Sequence, residues 1–173
     1  MVRAWNKSNS GHIIKDSEVT EDEILKEISL AGVELWKVKN GEDESLRREY
    51  IARFDITLTS SVETNKPPGN LNQKEYEAEL ARYMRPHFHF TDEVRHIKDG
   101  ACYIDIQIGD EKWARLRLSS GDVILIPAGV FHCVTLDEAK FVKACGFYRS
   151  RGLDDEYIPR YSHDVKSLIK GRC

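Results

Sequence analysis

The alternation of apolar and polar positions divides the chain into an earlier stretch with helical spacing and a later one with strand spacing. Thr20-Glu-Asp-Glu23 precedes Ile24, Leu25, Ile28 and Ala31, with Gly32 behind them. A capping box, an apolar stripe every three to four residues and a stop residue together predict a helix over 21–31. A second short helix is expected over 45–53, where Leu46, Tyr50 and Ile51 share one side. Residues 57–70 carry Thr-Ser-Ser and Lys66-Pro-Pro-Gly-Asn70 and read as loop. Asn72 with Glu75 three residues on starts a third helix, running to Tyr83 just before Pro86.

Beyond Pro86 the period falls to two. Cys102, Ile104, Ile106 and Ile108 alternate with Tyr103, Asp105 and Gln107, and Gly109-Asp110 marks a turn. Ala114, Leu116 and Leu118 then alternate with Trp113, Arg115 and Arg117. The run Val123-Ile-Leu-Ile126 is apolar on both faces, as a doubly covered strand would be, and residues 132–148 supply at least one strand more. Many short strands with polar turns predict a mainly β fold, a small barrel or double-stranded jelly roll with helices packed outside.

Composition narrows the class. At 173 residues and 40% hydrophobic, the chain suits one compact domain over 1–173. The expected division is a helical amino-terminal part over 1–83, a barrel core over 84–148 and a mobile tail over 162–173. A net charge of −3 without a basic stripe argues against nucleic acid as a partner. No apolar run approaches the roughly 18 residues that span a bilayer, and Met-Val-Arg-Ala-Trp-Asn-Lys has no signal-peptide core, so a cytoplasmic protein is expected. Cys102, Cys133, Cys145 and Cys173 form no C-x-x-C pair, which fits reduced thiols. Trp113 with Arg115 and Arg117 reads as a solvated strand face or an outward face for a partner.

Candidate chemistry concentrates in His87-Phe-His89-Phe-Thr-Asp-Glu93, an H-x-H-x-x-x-E string, with His132 following in Pro127-Ala-Gly-Val-Phe-His. Three of the six histidines fall here, so chance placement is a poor explanation. Imidazole plus carboxylate suits divalent iron or nickel with positions left open for substrate, whereas closed zinc sites lean on thiolate. Side chains two apart on an extended chain share a face, so His87 and His89 can aim at one ion. Glu93 is then expected from the same strand or its end, and His132 from a second strand across the core. Cys133, one residue further, should point away. Arg95 lies two beyond Glu93 and therefore on its side of the strand, where a guanidinium can stabilise an oxyanion or brace the carboxylate.

These residues resemble the two cupin motifs: the first from the histidine pair to Gly100, the second as Gly121-x5-Pro127-Ala-Gly129-x2-His132, with Ala81 and Leu136 departing from the usual glycine and asparagine. Within the cupins, His-x-His-x-Thr-Asp-Glu-Val-Arg95, Lys112-Trp113 and Gly121-Asp122 through Leu-Ile-Pro-Ala-Gly-Val-Phe-His132 look like the acireductone dioxygenase family. Val2-Arg-Ala-Trp5 and Gly32-Val-Glu-Leu-Trp36-Lys37 agree, so the likeness runs from residue 2 to residue 161. The resemblance implies one Fe2+ or Ni2+ ion per monomer held by His87, His89, Glu93 and His132, and a catalytic Arg95. It implies acireductone, 1,2-dihydroxy-3-keto-5-methylthiopentene, and O2 as substrates in methionine salvage. Iron would give formate and 4-methylthio-2-oxobutanoate; nickel would give methylthiopropanoate, formate and CO. A cytoplasmic and nuclear monomer is the matching expectation.

The substrate pocket departs from the family pattern. Where that pattern reads Lys-Ala-Met-Arg-Leu-Phe, this chain reads Lys143-Ala-Cys-Gly-Phe-Tyr148, placing Gly146 where a second arginine is usual. Val134 and Ile104 stand at aromatic positions, and Tyr157-Ile-Pro159 loosely matches Trp-Thr-Pro. The alternatives are a divergent cupin oxygenase acting on another enediol, and a non-catalytic metal-binding member working through protein contacts.

Overall fold

A computed structural model of the chain describes residues 3–7, 13–14, 20–38, 45, 48–49, 52–53, 58–64, 71–110, 112–148 and 158–159. The helices start where their caps dictate. Helix α1 (Glu21–Leu30) has the Thr20 side chain accepting from the Glu23 backbone N–H while the Glu23 carboxylate accepts from Thr20 N–H. Helix α2 (Gln73–Tyr83) repeats the device with Asn72 and Glu75. Ile24 and Ile28 bury the inner face of α1 against the barrel, each burial stabilising by about 1.5–3 kcal/mol. Of the helix expected over 45–53, Ser45, Arg48, Glu49, Ala52 and Arg53 are helical and exposed; the residues between them, like the tail over 162–173, lie outside the described residues.

The strands are β1 (Arg3–Lys7), β2 (Ile13–Ile14), β3 (Glu34–Lys37), β4 (Leu58–Glu63), β5 (His87–Phe88), β6 (Glu93–Gln107), β7 (Trp113–Ser119), β8 (Asp122–Ile126), β9 (His132–Leu136), β10 (Val142–Tyr148) and β11 (Ile158–Pro159). One layer runs β11-β5-β9-β6-β7-β1-β2; the other runs β4-β10-β6-β8-β3. Every pairing is antiparallel. The long strand β6 belongs to both layers, pairing β8 and β10 through its first half and β7 and β9 through its second.

A bulge makes that sharing possible. On β10, Ala144 faces Ile97 and Lys143 faces Asp99, so Lys98 is an extra residue on β6. One extra residue flips side-chain parity. Odd-numbered Glu93, Arg95 and Ile97 therefore share the barrel interior with even-numbered Cys102, Ile104 and Ile106. Gly100 follows at φ 73, with the Phe141 carbonyl oxygen only 2.3 Å from where a Cβ would stand. Glycine alone fits this bend.

The structure corrects three expectations. The amino-terminal part is not simply helical, because β1 to β4 complete both layers. Residues 58–63 form a strand rather than loop, since their polar look reflects an edge position whose backbone is satisfied by β10. Trp113 is buried at 4% exposure. Arg115 is engaged within the chain, donating two bonds of 2.7 and 2.9 Å to buried Asp105, and Arg117 pairs with Asp137 at 3.2 Å.

Candidate metal centre

Two short strands and two turns assemble the site. Pro86 leads into β5, which lasts only His87 and Phe88; the chain then bends through Phe90 and Thr91 before β6 opens at Glu93. Long-range hydrogen bonds hold the bend: Gly129 N–H donates to the His89 carbonyl at 2.9 Å, and Ala128 N–H to the Asp92 carboxylate at 2.9 Å. His132 opens β9 just beyond that second turn and pairs directly with His87. Glu93 thus begins a new strand instead of ending the strand of His87. His132 comes from the neighbouring strand and not from across the core.

The side chains converge. Nitrogen atoms of His87, His89 and His132 lie within 4.8 Å of one another. Glu93 Oε2 stands 3.1 Å from His132 Nε2 and 3.7 Å from His89 Nε2. His87, Glu93 and His132 are at most 2% exposed. The Nδ1 atoms of His87 and His132 sit 2.7 and 3.0 Å from the carbonyls of Arg85 and Val130. A carbonyl can only accept, so each Nδ1 carries the proton and each Nε2 offers its lone pair to the centre.

Electrostatics put His87 and Glu93 in the ligand state. Burial, reinforced by His132, pushes His87 down to about 3, so its ring is neutral near pH 7. Burial opposes charge on Glu93, but the Arg95 guanidinium and the nearby histidines outweigh it and hold the carboxyl well below the usual range. Arg95 Nε donates to Glu93 Oε1. A neutral His87 imidazole beside an anionic carboxylate is what a divalent cation requires, and three nitrogens with one oxygen suit such an ion. Cys133 turns away, its thiol donating to Asp105 at 3.6 Å.

A mainly apolar cavity lies within the barrel beside this point, with Arg95, the partner of Glu93, on its wall. Arg95 lies two residues beyond Glu93 on β6, and Val134 two beyond His132 on β9, so both walls carry on without interruption. Ile104 and Val134 line it as the sequence suggests. Gly146 is a buried, ordinary strand residue opposite Arg95, outside the positive-φ positions, and is not among the residues that line the cavity. Tyr157 lies outside the described residues, although Pro159 pairs with His87. The sequence missed Leu80 of α2, Met84 at that helix's C-cap and Val62 of β4, which also form the wall. Leu80 falls in the expected helix, Met84 just past its end and Val62 in the stretch read as loop, so nothing marked them as pocket residues.

Comparison with known proteins agrees with this geometry. The ARD/ARD' family profile matches residues 2–154. A protein of Monodelphis domestica named acireductone dioxygenase is 32% identical over 157 residues, covering 83% of this chain and 81% of its own. Its namesake from Rattus norvegicus is 39% identical over 128 residues, covering 69% and 66%. Among solved structures, acireductone dioxygenase from Bacillus anthracis, with a cadmium ion in its active centre, superposes with a TM-score of 0.64 over 93% of this chain and 99% of its own. At 19% identity that likeness concerns the fold, which is a cupin.

Proposed function

The chain belongs to the ARD/ARD' family and is a metal-dependent dioxygenase, and on that premise we propose that it oxidises acireductone, 1,2-dihydroxy-3-keto-5-methylthiopentene, in methionine salvage, with iron or nickel held by His87, His89, Glu93 and His132. The observation that carries this reading is the convergence of three imidazoles and one carboxylate, with Arg95 joining that carboxylate to the wall of an apolar cavity. When bound, the ion held by these four residues would supply a Lewis acid for the enediol oxygens.

The protein's own residues do the rest. His87 and His132, fixed by the Arg85 and Val130 carbonyls, keep their Nε2 atoms aimed at one point, so the ligand geometry is set before metal or substrate arrives. Glu93 contributes negative charge and is kept ionised by Arg95. Arg95 is placed to stabilise the enolate oxyanion of the substrate head by a charge-assisted hydrogen bond. Ile104 and Val134 present only hydrocarbon beside it, excluding water and receiving the methylthio tail. The products expected are formate and 4-methylthio-2-oxobutanoate from the iron-loaded protein, and methylthiopropanoate, formate and CO from the nickel-loaded one.

The test is aerobic turnover of acireductone by protein of measured metal content, with iron and nickel loaded separately. Oxygen uptake in proportion to metal, with the two product sets, supports the reading. Full metal occupancy without oxygen uptake in either form contradicts it and favours a non-catalytic metal-binding member.

A further inference from the structure

The proposed ligands come from two separate stretches of chain, 87–93 and 127–132, and these stretches are tied to each other outside the centre. Two hydrogen bonds run between them: Ala128 N–H donates to the Asp92 carboxylate at 2.9 Å, and Gly129 N–H donates to the His89 carbonyl at 2.9 Å. Aromatic rings add an apolar contact. Phe88, 1% exposed, meets Phe90 of its own stretch edge-on at 5.5 Å and Phe131 of the other at 5.0 Å. The second stretch is a tight turn, in which Val130 N–H donates to the Pro127 carbonyl at 3.2 Å. Gly129 has φ 81 and Ala128 lies outside the positive-φ positions, which is the type II form. The carbonyl of Val130, the last residue of that turn, faces His132 Nδ1 at 3.0 Å. Asp92 is therefore bonded to the turn that orients one ligand and is the chain neighbour of another, Glu93.

Building on the metal-centre reading, we propose that Asp92 is a positioning residue for the ion: its carboxylate clasps the turn between His89 and Glu93 to the turn of Pro127–Val130, and so sets His132 against His89 and Glu93 before metal arrives. Asp92 acts through the turns and not as a ligand. Its side chain is exposed, so it supports little of the core, and its loss falls on the mutual placement of the two stretches. Without the clasp the turns sample arrangements in which the ligands do not converge. An ion then binds only the converged fraction, and its apparent affinity drops by that fraction.

The experiment titrates the metal-free chain with nickel chloride against a chromogenic chelator and records the melting temperature of each metal-free variant. Asp92→Ala removes the acceptor and should weaken nickel binding by about tenfold. Asp92→Asn keeps an oxygen acceptor without the charge, and should stay within about threefold of wild type. Ala128→Pro removes the donor at the turn position that favours proline; it should weaken nickel as Asp92→Ala does, and the two changes combined should weaken it no further. Melting temperatures without metal should move by only about 2 °C, as for other surface substitutions. Asp92→Asn falling as far as Asp92→Ala, with Ala128→Pro binding like wild type, would mean that the carboxylate acts by charge alone, and it overturns the clasp. A lower melting temperature with unchanged nickel affinity overturns it too, by making the bond merely structural. Equal affinities throughout remove the clasp and leave the metal centre standing, whereas wild-type protein that takes up no nickel sinks the metal reading and the clasp with it.

Discussion

Protonation at single residues decides whether the centre can hold a cation. In the folded apoprotein His87 titrates at about 3, against an ordinary value of 6.5. Between those values the unfolded chain binds a proton that the folded chain refuses, so stability rises with pH there and is lost as pH falls below 6.5. Glu93 acts in the same direction lower down: its depressed carboxyl contributes stability above its ordinary value of 4.5 and loses it as pH drops further. The melting temperature of metal-free protein should fall between pH 7 and pH 5, and His87→Gln should flatten that slope. A wild-type profile already flat over this interval would mean that His87 is charged in the fold. Arg95 offers a separate test. Arg95→Lys keeps the charge but loses the planar donor that meets Glu93, so metal content should be retained while kcat/KM drops about tenfold to a hundredfold. Metal loss equal to that of His132→Ala would make Arg95 a brace for Glu93 and nothing more.

At the level of elements, β6 is the part on which the site depends, because its bulge at Lys98 and bend at Gly100 bring Glu93 and Ile106 to the same interior. Gly100→Ala forces a Cβ against the Phe141 carbonyl at a positive φ, and it should cost about 2–4 kcal/mol and lower both melting temperature and metal affinity. Unchanged stability in a denaturant titration would show that the bend tolerates a side chain. The sequence made the candidate ligands legible because residue type and spacing are local: H-x-H-x-x-x-E and the later His132 announce themselves, and the three histidines do converge. Both capped helices were legible for the same reason. The turn between His89 and Glu93 was not, since Phe90-Thr-Asp92 contains no glycine or proline and is held by hydrogen bonds from residues 128 and 129. Strand β4 was hidden because an edge strand paired to β10 needs no apolar alternation. Leu80 in the expected helix and Met84 just past its end carried no chemical signal, and only the tertiary placement of α2 makes them cavity wall.

For the whole molecule, metal and fold should be linked. The proposed ligands come from β5, the turn after it, β6 and β9, so the centre exists only when these elements are assembled, and a cation binding it would favour the native state by mass action. Metal at a hundred times its Kd should stabilise by about 2.7 kcal/mol, and for a chain of this size that raises the melting temperature by roughly 5–10 °C. Chelation should reverse the shift, and His132→Ala should abolish it. The central claim, that His87, His89, Glu93 and His132 hold one divalent ion, is met most directly by X-ray absorption at the metal edge on protein loaded with one equivalent of iron or nickel. A shell of oxygen and nitrogen with the multiple-scattering signature of three imidazoles, lost stepwise in His89→Ala and His132→Ala, is the expected result; a sulfur scatterer, or an imidazole signal unchanged in those variants, would contradict the assignment.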